Sequence, residues 1–394
     1  MDILKDKTIL LGITGGISAY KAPDIASKLR QLGANVDVVM TESAAKIITP
    51  RTLQSITNRQ VHTDMWQPVE NFRAGHISLA ESADVIVIAP ATANTIAKLA
   101  CGMADNLLCS TVLATRSPVI MSPAMNDNML NNPVTQKNIS KLKDRGFVII
   151  EPGYGHLLSG KIGQGRLPET AEIIDIIRLV LSRGGDLKGK RFVVTAGGTR
   201  EAIDPVRFIG NRSSGKMGFA IAQAARDRGA EVTLISTVEC YPAAGIRMIA
   251  VESAGEMKKA VEEAVVAADA LIMVAAVADY QVEQVSGNKI KKADGVLSLK
   301  LIKTPDILSE VKGSFIKVGF AAESENLVEN AITKLKEKGL HLIAANDITA
   351  KDSGFGSDNN RVTIIDRNER AEVLPLMSKR EVADRILDRI KEII

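Results

Sequence analysis

Aromatic side chains are scarce in this sequence, at 3% of 394 residues with a single Trp. Platforms that stack unpaired bases are built from aromatic rings, so a single-strand nucleic-acid binder is set aside. Cysteine is scarcer. Cys101, Cys109 and Cys240 are odd in number and fit no zinc or iron–sulfur spacing. They form no disulfide framework, and a reducing compartment is the expectation. No run of about 18 apolar residues occurs, which excludes a transmembrane helix. Excess charge of one sign is also missing: 50 Lys and Arg stand against 46 Asp and Glu, a formal net charge of +4. That is too little for a general nucleic-acid binder, yet it allows local basic pockets for phosphorylated ligands. Residues Met1 to Lys7 are charged and lead directly into an apolar run, without a signal-peptide layout, so the cytoplasm is the expected location.

What is present is pattern. With 45% hydrophobic and 24% charged residues, the composition is that of a globular protein long enough for two domains. Thr8 to Ile13 is an apolar run followed by Gly15-Gly16, a helical pattern from about Ser18 to Leu32, a stop at Gly33 and a second apolar run, Val36 to Met40. This is the strand–turn–helix–strand layout of a parallel sheet. The layout returns in Arg191 to Thr195, Gly197-Gly198, a helical stretch from about Gly215 to Arg228 and the run Val232 to Ile235. "ADVIVIAP" from Ala83 and "ADALIMVA" from Ala268 both read as central strands buried on two faces. The expected fold is therefore α/β, with two doubly wound, mainly parallel, Rossmann-like domains at 1–187 and 188–394. The small-polar stretch Ser182 to Gly189 divides them, and Lys379 to Ile394 reads as an amphipathic helix packed on a sheet.

A glycine turn between strand and helix presents backbone N–H groups to an anion. Both halves have one, and both turns read equally well as plain connections. Neither is G-x-G-x-x-G, so the dinucleotide fingerprint is absent. Gly210 to Lys216, "GNRSSGK", has P-loop spacing, but Met217 follows where a Ser or Thr holds Mg²⁺, and Pro205 spoils the strand before it. A standard P-loop is rejected; a polar loop suited to phosphate or carboxylate remains. "NKIKK", Asn288 to Lys292, reads by itself as solvated surface. In "KTPDIL", Thr304 is placed to cap the helix that Pro305 begins. His76 sits at a helix start, where a lone His is more often structural than catalytic. Asn126 follows a strand, at the end of a parallel sheet where ligands bind. Thr92, Asn94 and Thr95 open a helix, suited to a flavin or to simple capping.

Taken together these segments resemble one family across nearly the whole chain: the fused phosphopantothenoylcysteine decarboxylase/phosphopantothenate–cysteine ligase of bacteria. The first half carries "GITGGISAYK", "AGHISLA", "PATANTIAK" and P-x-M-N-x-x-M at Pro123, Met125, Asn126 and Met129. The second carries "VTAGGTREAIDPVRFIGNRSSGKMG", "AAVADY", K-x-K-K at Lys289 to Lys292, "KTPDIL" and "VGFAAES". For the second half the resemblance implies CTP with Mg²⁺, whose protein ligands it does not assign. The carboxylate of 4'-phosphopantothenate attacks the α-phosphate to give an acyl-cytidylate, and the amine of cysteine then displaces CMP. Asn211 becomes the donor to the acyl oxyanion, and Lys289 a point cation at phosphate. Gly197, Ser213, Gly215 and Lys216 approach the phosphates. Ala275, Asp279, Pro305, Asp306, Ile307, Leu308, Phe320, Lys334 and Lys338 line the nucleotide site, with Arg207 a weaker candidate on the substrate side.

For the first half the resemblance implies FMN, lined by Gly15, Gly16, Ser18, Thr41, Ser43, Thr92, Asn94 and Thr95. Oxidation of the cysteinyl thiol to a thioaldehyde gives the loss of CO₂ an electron sink, and the ene-thiol is then reduced. His76 is the implied base, and Asn126 holds the substrate. A homo-oligomer built on trimers of this half is implied, with no nucleic-acid or membrane partner. One departure stands out. In the flap "GHLLSGKIGQGR", Gly155 to Arg166, Ser159 replaces the family's reactive Cys. A hydroxyl is a far weaker acid than a thiol of pKa about 8.5. Either Ser159 or water delivers the last proton, or His156 does, or the reduction is poor. The competing reading is a ligase alone, with the flavin half a binding or regulatory module.

Overall fold

A computed structural model describes residues 2–66, 75–157, 160–239, 243–291, 296–323, 325–347 and 357–394. The chain forms two compact units, Met1–Leu181 and Ser182–Ile394. Ser182 to Leu187, which the sequence groups with the first half, pack with the second: Leu187 is buried in its core and donates its N–H to the Arg228 carbonyl at 2.8 Å.

The first unit is built on a six-stranded sheet. Its strands are β1 (Thr8–Ile13), β2 (Asn35–Met40), β3 (Val61–His62), β4 (Val85–Ala91), β5 (Val119–Pro123) and β6 (Val148–Ile149). The order is β3-β2-β1-β4-β5-β6, and every pairing is parallel. Side chains of a strand alternate between faces, and here both faces are apolar because helices cover both. Ile9, Leu11 and Ile13 enter one core with Val85 and Val87, whereas Leu10 enters the other with Ile86 and Ile88. The helical stretch after Gly16 is two pieces, a 3₁₀ segment Ile17–Lys21 and an α-helix Ala22–Gln31. Pro23 fixes the joint: it lacks an N–H and is at home only in the first turn of an α-helix. A hairpin of β7 (Gly153–His156) and β8 (Ile162–Arg166) stands outside the sheet.

The second unit repeats the plan. Its strands are β9 (Arg191–Ala196), β10 (Arg200–Ala202), β11 (Phe208–Gly210), β12 (Glu231–Ser236), β13 (Ile246–Ala250), β14 (Ala270–Met273), β15 (Tyr280–Val282) and β16 (Leu301–Lys303). They continue as β17 (Ile316–Glu323), β18 (Leu342–Asp347), β19 (Asn359–Asn360), β20 (Val362–Asp366), β21 (Ala371–Val373) and β22 (Met377–Ser378). The eight-stranded sheet runs β13-β12-β9-β14-β17-β18-β20-β21. The first six positions are parallel and the last two antiparallel. Phe192, Val194 and Ala196 face one core, and Val193 faces the other. The segment around Pro205 is no central strand: Arg200–Ala202 and Phe208–Gly210 pair as a separate hairpin. The C-terminal helix, Lys379–Lys391, starts with a reciprocal cap between Ser378 and Glu381. Among the described residues no helix is long and apolar enough to cross a membrane.

Candidate functional sites

Both sheets reverse their strand order once, between β1 and β4 in the first unit and between β9 and β14 in the second. At such a reversal the loops leaving the carboxyl ends of neighbouring strands diverge, and the crevice between them receives ligands.

In the first unit the loops after β1, β2, β4 and β5 meet at this crevice. The Thr14 hydroxyl donates to the Pro90 carbonyl at 2.7 Å and accepts the Thr92 N–H at 3.0 Å, tying the ends of β1 and β4 together. A methyl group on Gly15 would stand 2.3 Å from the Ser43 Cβ, so only glycine fits there. One on Gly16 would meet Thr92 Cγ2 at 3.5 Å and the Ala124 carbonyl at 3.8 Å. Gly15, Gly16, Ser43 and Thr92 are thus brought together, while Ser18, exposed Asn94 and half-buried His76 are placed only by their elements. Thr41 and Thr92 are also helix caps, their side chains accepting the N–H groups of Ala44 and Thr95. Asn126 caps the short helix Asp127–Leu130. The β7–β8 hairpin is seated beside it: Met125 donates its N–H to the Gly165 carbonyl at 3.0 Å. The described residues fit a bound flavin in two respects. The glycine crevice stands beside the start of the helix Ala93–Cys101, the end of a helix that attracts phosphate, and the buried Ser122 hydroxyl near the end of β5 has no partner among them. Ser159 lies outside the described residues, so its placement is not part of this geometry.

In the second unit the crevice is a cavity of about 940 Å³. Gly197 marks the end of β9, and Asn211, Ser213, Gly215 and Lys216 bring in the polar loop and the first turn of the helix Lys216–Asp227. Gly215 has φ +73° and stands at the start of this helix without a side-chain cap, at the end of a helix that favours anions. Ala275 and Asp279 come from the loop after β14, Pro305 and Asp306 from the loop after β16, Ile307 and Leu308 from the short helix Ile307–Glu310 that follows, and Phe320 from β17. Lys334 and Lys338 reach the same cavity. Lys338 pairs with Asp306 at 3.0 Å. Burial pushes the Asp306 carboxyl upward, but Lys338 and Ser309 outweigh it and hold the group below the usual range.

One expectation changes, and three candidate residues are found engaged elsewhere or apart from the cavity. Thr304 is no helix cap: its hydroxyl donates to the Ala278 carbonyl, and Asp306 caps the helix Ile307–Glu310. Proline at 305 leaves the cap to the residue after it. Lys289 is exposed and does not line the cavity, and Lys292 lies outside the described residues. Arg207 is committed to Asp204 at 2.6 Å and to the Ile290 carbonyl at 2.8 Å, holding the lysine segment against the β10–β11 hairpin. Asn211 lines the cavity, but its amide already donates to the Val277 carbonyl at 2.9 Å.

Two positioning residues were missed. The buried Thr195 hydroxyl accepts the N–H groups of Val274 and Ala275, each at 3.1 Å, and Thr199 accepts that of Ala278 at 2.9 Å. They fix the "AAVADY" loop, and their only sequence signal was two hydroxyls flanking Gly197-Gly198. Among the described residues no cluster of three His, Cys, Asp or Glu side chains gathers to hold a metal.

Comparison with known proteins adds an independent line. Residues 2–182 match the flavoprotein family, and residues 187–394 match the DNA/pantothenate metabolism flavoprotein C-terminal domain. The coenzyme A biosynthesis bifunctional protein CoaBC of Bacillus subtilis (strain 168) is 45% identical, with 98% of this chain and 97% of that protein covered. Its Escherichia coli (strain K12) counterpart is 42% identical, with 98% and 97% covered. The solved C-terminal domain of a CoaBC is 40% identical over 52% of this chain and 96% of its own, at a TM-score of 0.45. With two family matches that divide the chain between them and full-length relatives at this identity, the chain belongs to the family of bifunctional coenzyme A biosynthesis proteins.

Proposed function

We propose that the second unit, Ser182–Ile394, ligates cysteine to 4'-phosphopantothenate at the expense of CTP, and that the first, Met1–Leu181, decarboxylates the product with bound FMN. The chain is a bifunctional enzyme of coenzyme A biosynthesis, and these assignments give it substrates and steps. The observation that carries the ligase reading is the single cavity that joins Asn211, the Ser213–Lys216 helix start and the Lys334, Lys338 and Asp306 group.

In that cavity the substrate carboxylate attacks the α-phosphorus of CTP, a P–O bond forms, and pyrophosphate leaves with the bonding pair. The N–H groups and ammonium at the Gly215–Lys216 helix start stabilise the charge on the leaving phosphates. Mg²⁺ arrives on the triphosphate as part of the substrate. The amine of cysteine then adds to the acyl carbon, Asn211 turns its amide to the oxyanion, and CMP departs. Lys289 reaches phosphate only if its segment moves from the position Arg207 holds.

In the first unit, FMN when bound supplies a reversible two-electron oxidation of the cysteinyl thiol, the sink that decarboxylation needs. The Gly15–Gly16 turn and the Thr92 helix start hold the phosphate. His76 accepts the thiol proton, Asn126 orients the carboxylate, and the β7–β8 flap excludes water. Ser159 is the proposed proton donor of the final reduction. A homo-oligomer assembled through the first unit completes this reading.

Mass spectrometry of one reaction tests it. The chain is mixed with 4'-phosphopantothenate, cysteine, CTP and Mg²⁺. The expected products are 4'-phosphopantetheine and CMP. A His76→Asn variant is expected to stop at phosphopantothenoylcysteine, with CMP release unchanged. Absence of CMP from the unmodified chain would overturn the ligase assignment, and accumulation of phosphopantothenoylcysteine by the unmodified chain would leave a ligase alone.

A further inference from the structure

Lys379 opens the C-terminal helix and lines the same cavity as Lys216. It is only 7% exposed. Lysine is almost never buried to that degree unless a partner compensates the charge. Among the described residues its ammonium pairs with no carboxylate. The ammonium donates to the Ser357 carbonyl at 2.5 Å, and the backbone N–H donates to the Asp358 carbonyl at 3.0 Å. Burial first, and then the charge of Lys216, push the Lys379 pKa below its ordinary value, with Asp358 opposing.

Asp358 is the reverse case. Its side chain is 88% exposed, and its carboxylate lies 2.7 Å from the Lys216 ammonium. Lys216 holds that carboxyl below the usual range. The pieces are mounted on one support, since Asn359 pairs with Ser378 and Asn360 with Met377 across β19 and β22. Two lysines therefore line a cavity that already holds a helix start, and among the described residues the carboxylate beside them is solvent-exposed and bonded to Lys216 but not to Lys379. An exposed pair of this kind contributes little in water. A phosphoryl group, with two or more charges and several acceptor oxygens, outcompetes a single carboxylate for such a pair of cations.

We propose that Lys379 binds phosphoryl oxygens in this cavity together with Lys216, and that Asp358 is an internal counter-ion which the incoming phosphate displaces from Lys216. The proposal rests on the reading that a nucleoside triphosphate and a phosphorylated acid meet here. Either can supply the phosphoryl group, and the measurement separates them.

The test is steady-state ligation by the full chain, with CTP and 4'-phosphopantothenate each varied, for the unmodified protein, Asp358→Asn and Lys379→Met. Asp358→Asn is expected to lower one KM by about two- to fivefold, with kcat held. Lys379→Met is expected to raise the same KM by about tenfold. The substrate whose KM moves is the source of the phosphate. A merely structural Asp358 predicts an unchanged or higher KM, and that result overturns the counter-ion. An unchanged KM in folded Lys379→Met overturns the lysine. If that variant does not fold, Asp358→Asn decides alone, because its side chain is exposed. If the unmodified chain does not ligate with CTP, the functional reading fails; calorimetry with inorganic pyrophosphate then decides. Tighter binding in Asp358→Asn supports the proposal, and equal or weaker binding overturns it.

Discussion

Gly165 sits in β8 with φ +144°, and a methyl group there would stand 2.1 Å from the Met125 carbonyl. No neighbouring side chain can yield, because the obstacle is backbone. Gly165→Ala must therefore lift the hairpin from the Met125–Asn126 turn. Displacing a positioning element by about 1 Å costs on the order of a hundredfold in rate. Decarboxylation is expected to fall by about that factor while CMP release stays constant, and following both products in one reaction checks it. The flap that carries this residue was legible in the sequence, but the need for glycine at 165 was not, because it comes from the backbone of a distant turn. Lys379 was not, because a lysine at a helix start looks like any solvated lysine until its burial is known. Thr195 and Thr199 escaped for a related reason: a hydroxyl that braces a loop differs from one that faces water only by its partner.

At the scale of elements, the second unit closes its core by packing the helix Lys216–Asp227 against the C-terminal helix, Lys379–Lys391. The contact holds buried charge. The Arg226 and Asp227 side chains, 2% and 1% exposed, lie 2.8 Å apart, and Arg380 reaches Asp227 at 2.7 Å. Arg226 also donates to the Ala244 carbonyl at 2.6 Å. Removing the shared carboxylate takes a counter-ion from buried guanidinium charge, a loss of about 3–5 kcal/mol. Asp227→Ala is expected to destabilise the second unit by that amount, seen as a lower urea midpoint with an unchanged slope. The strand–turn–helix repeats were legible because apolar runs bounded by glycine have a single reading in a parallel sheet. The hairpin around Pro205, the antiparallel extension β20–β21 and the 3₁₀ start after Gly16 were not anticipated. Short strands carry too few residues to show a period, and their pairing is set by what lies next to them.

At the scale of the molecule, stability should depend on acidity through a group at the amino end of β18, outside the cavity lining. His341 accepts the Lys317 N–H on Nδ1 at 3.0 Å. Burial, then the charges of Arg367 and Lys317, push its pKa down from 6.5 to about 4. Between those values the unfolded chain binds a proton that the folded chain lacks, so stability falls as pH drops through 6.5 toward 4. Thermal unfolding of the second unit at pH 7.5 and pH 5 should show a lower Tm in acid, and His341→Gln should reduce the difference. A larger acid loss in that variant would assign the effect elsewhere.

The first unit's sheet ends in β3 and β6, each only two residues long. An open edge recruits another chain by offering a row of unpaired backbone groups, and two residues offer almost no such row. Copies of this unit therefore have no ladder to extend into one continuous sheet. Assembly of the first unit then falls to surfaces other than the edges of this sheet, so its symmetry and strength are open to change by point substitution while the sheet inside each copy stays as it is.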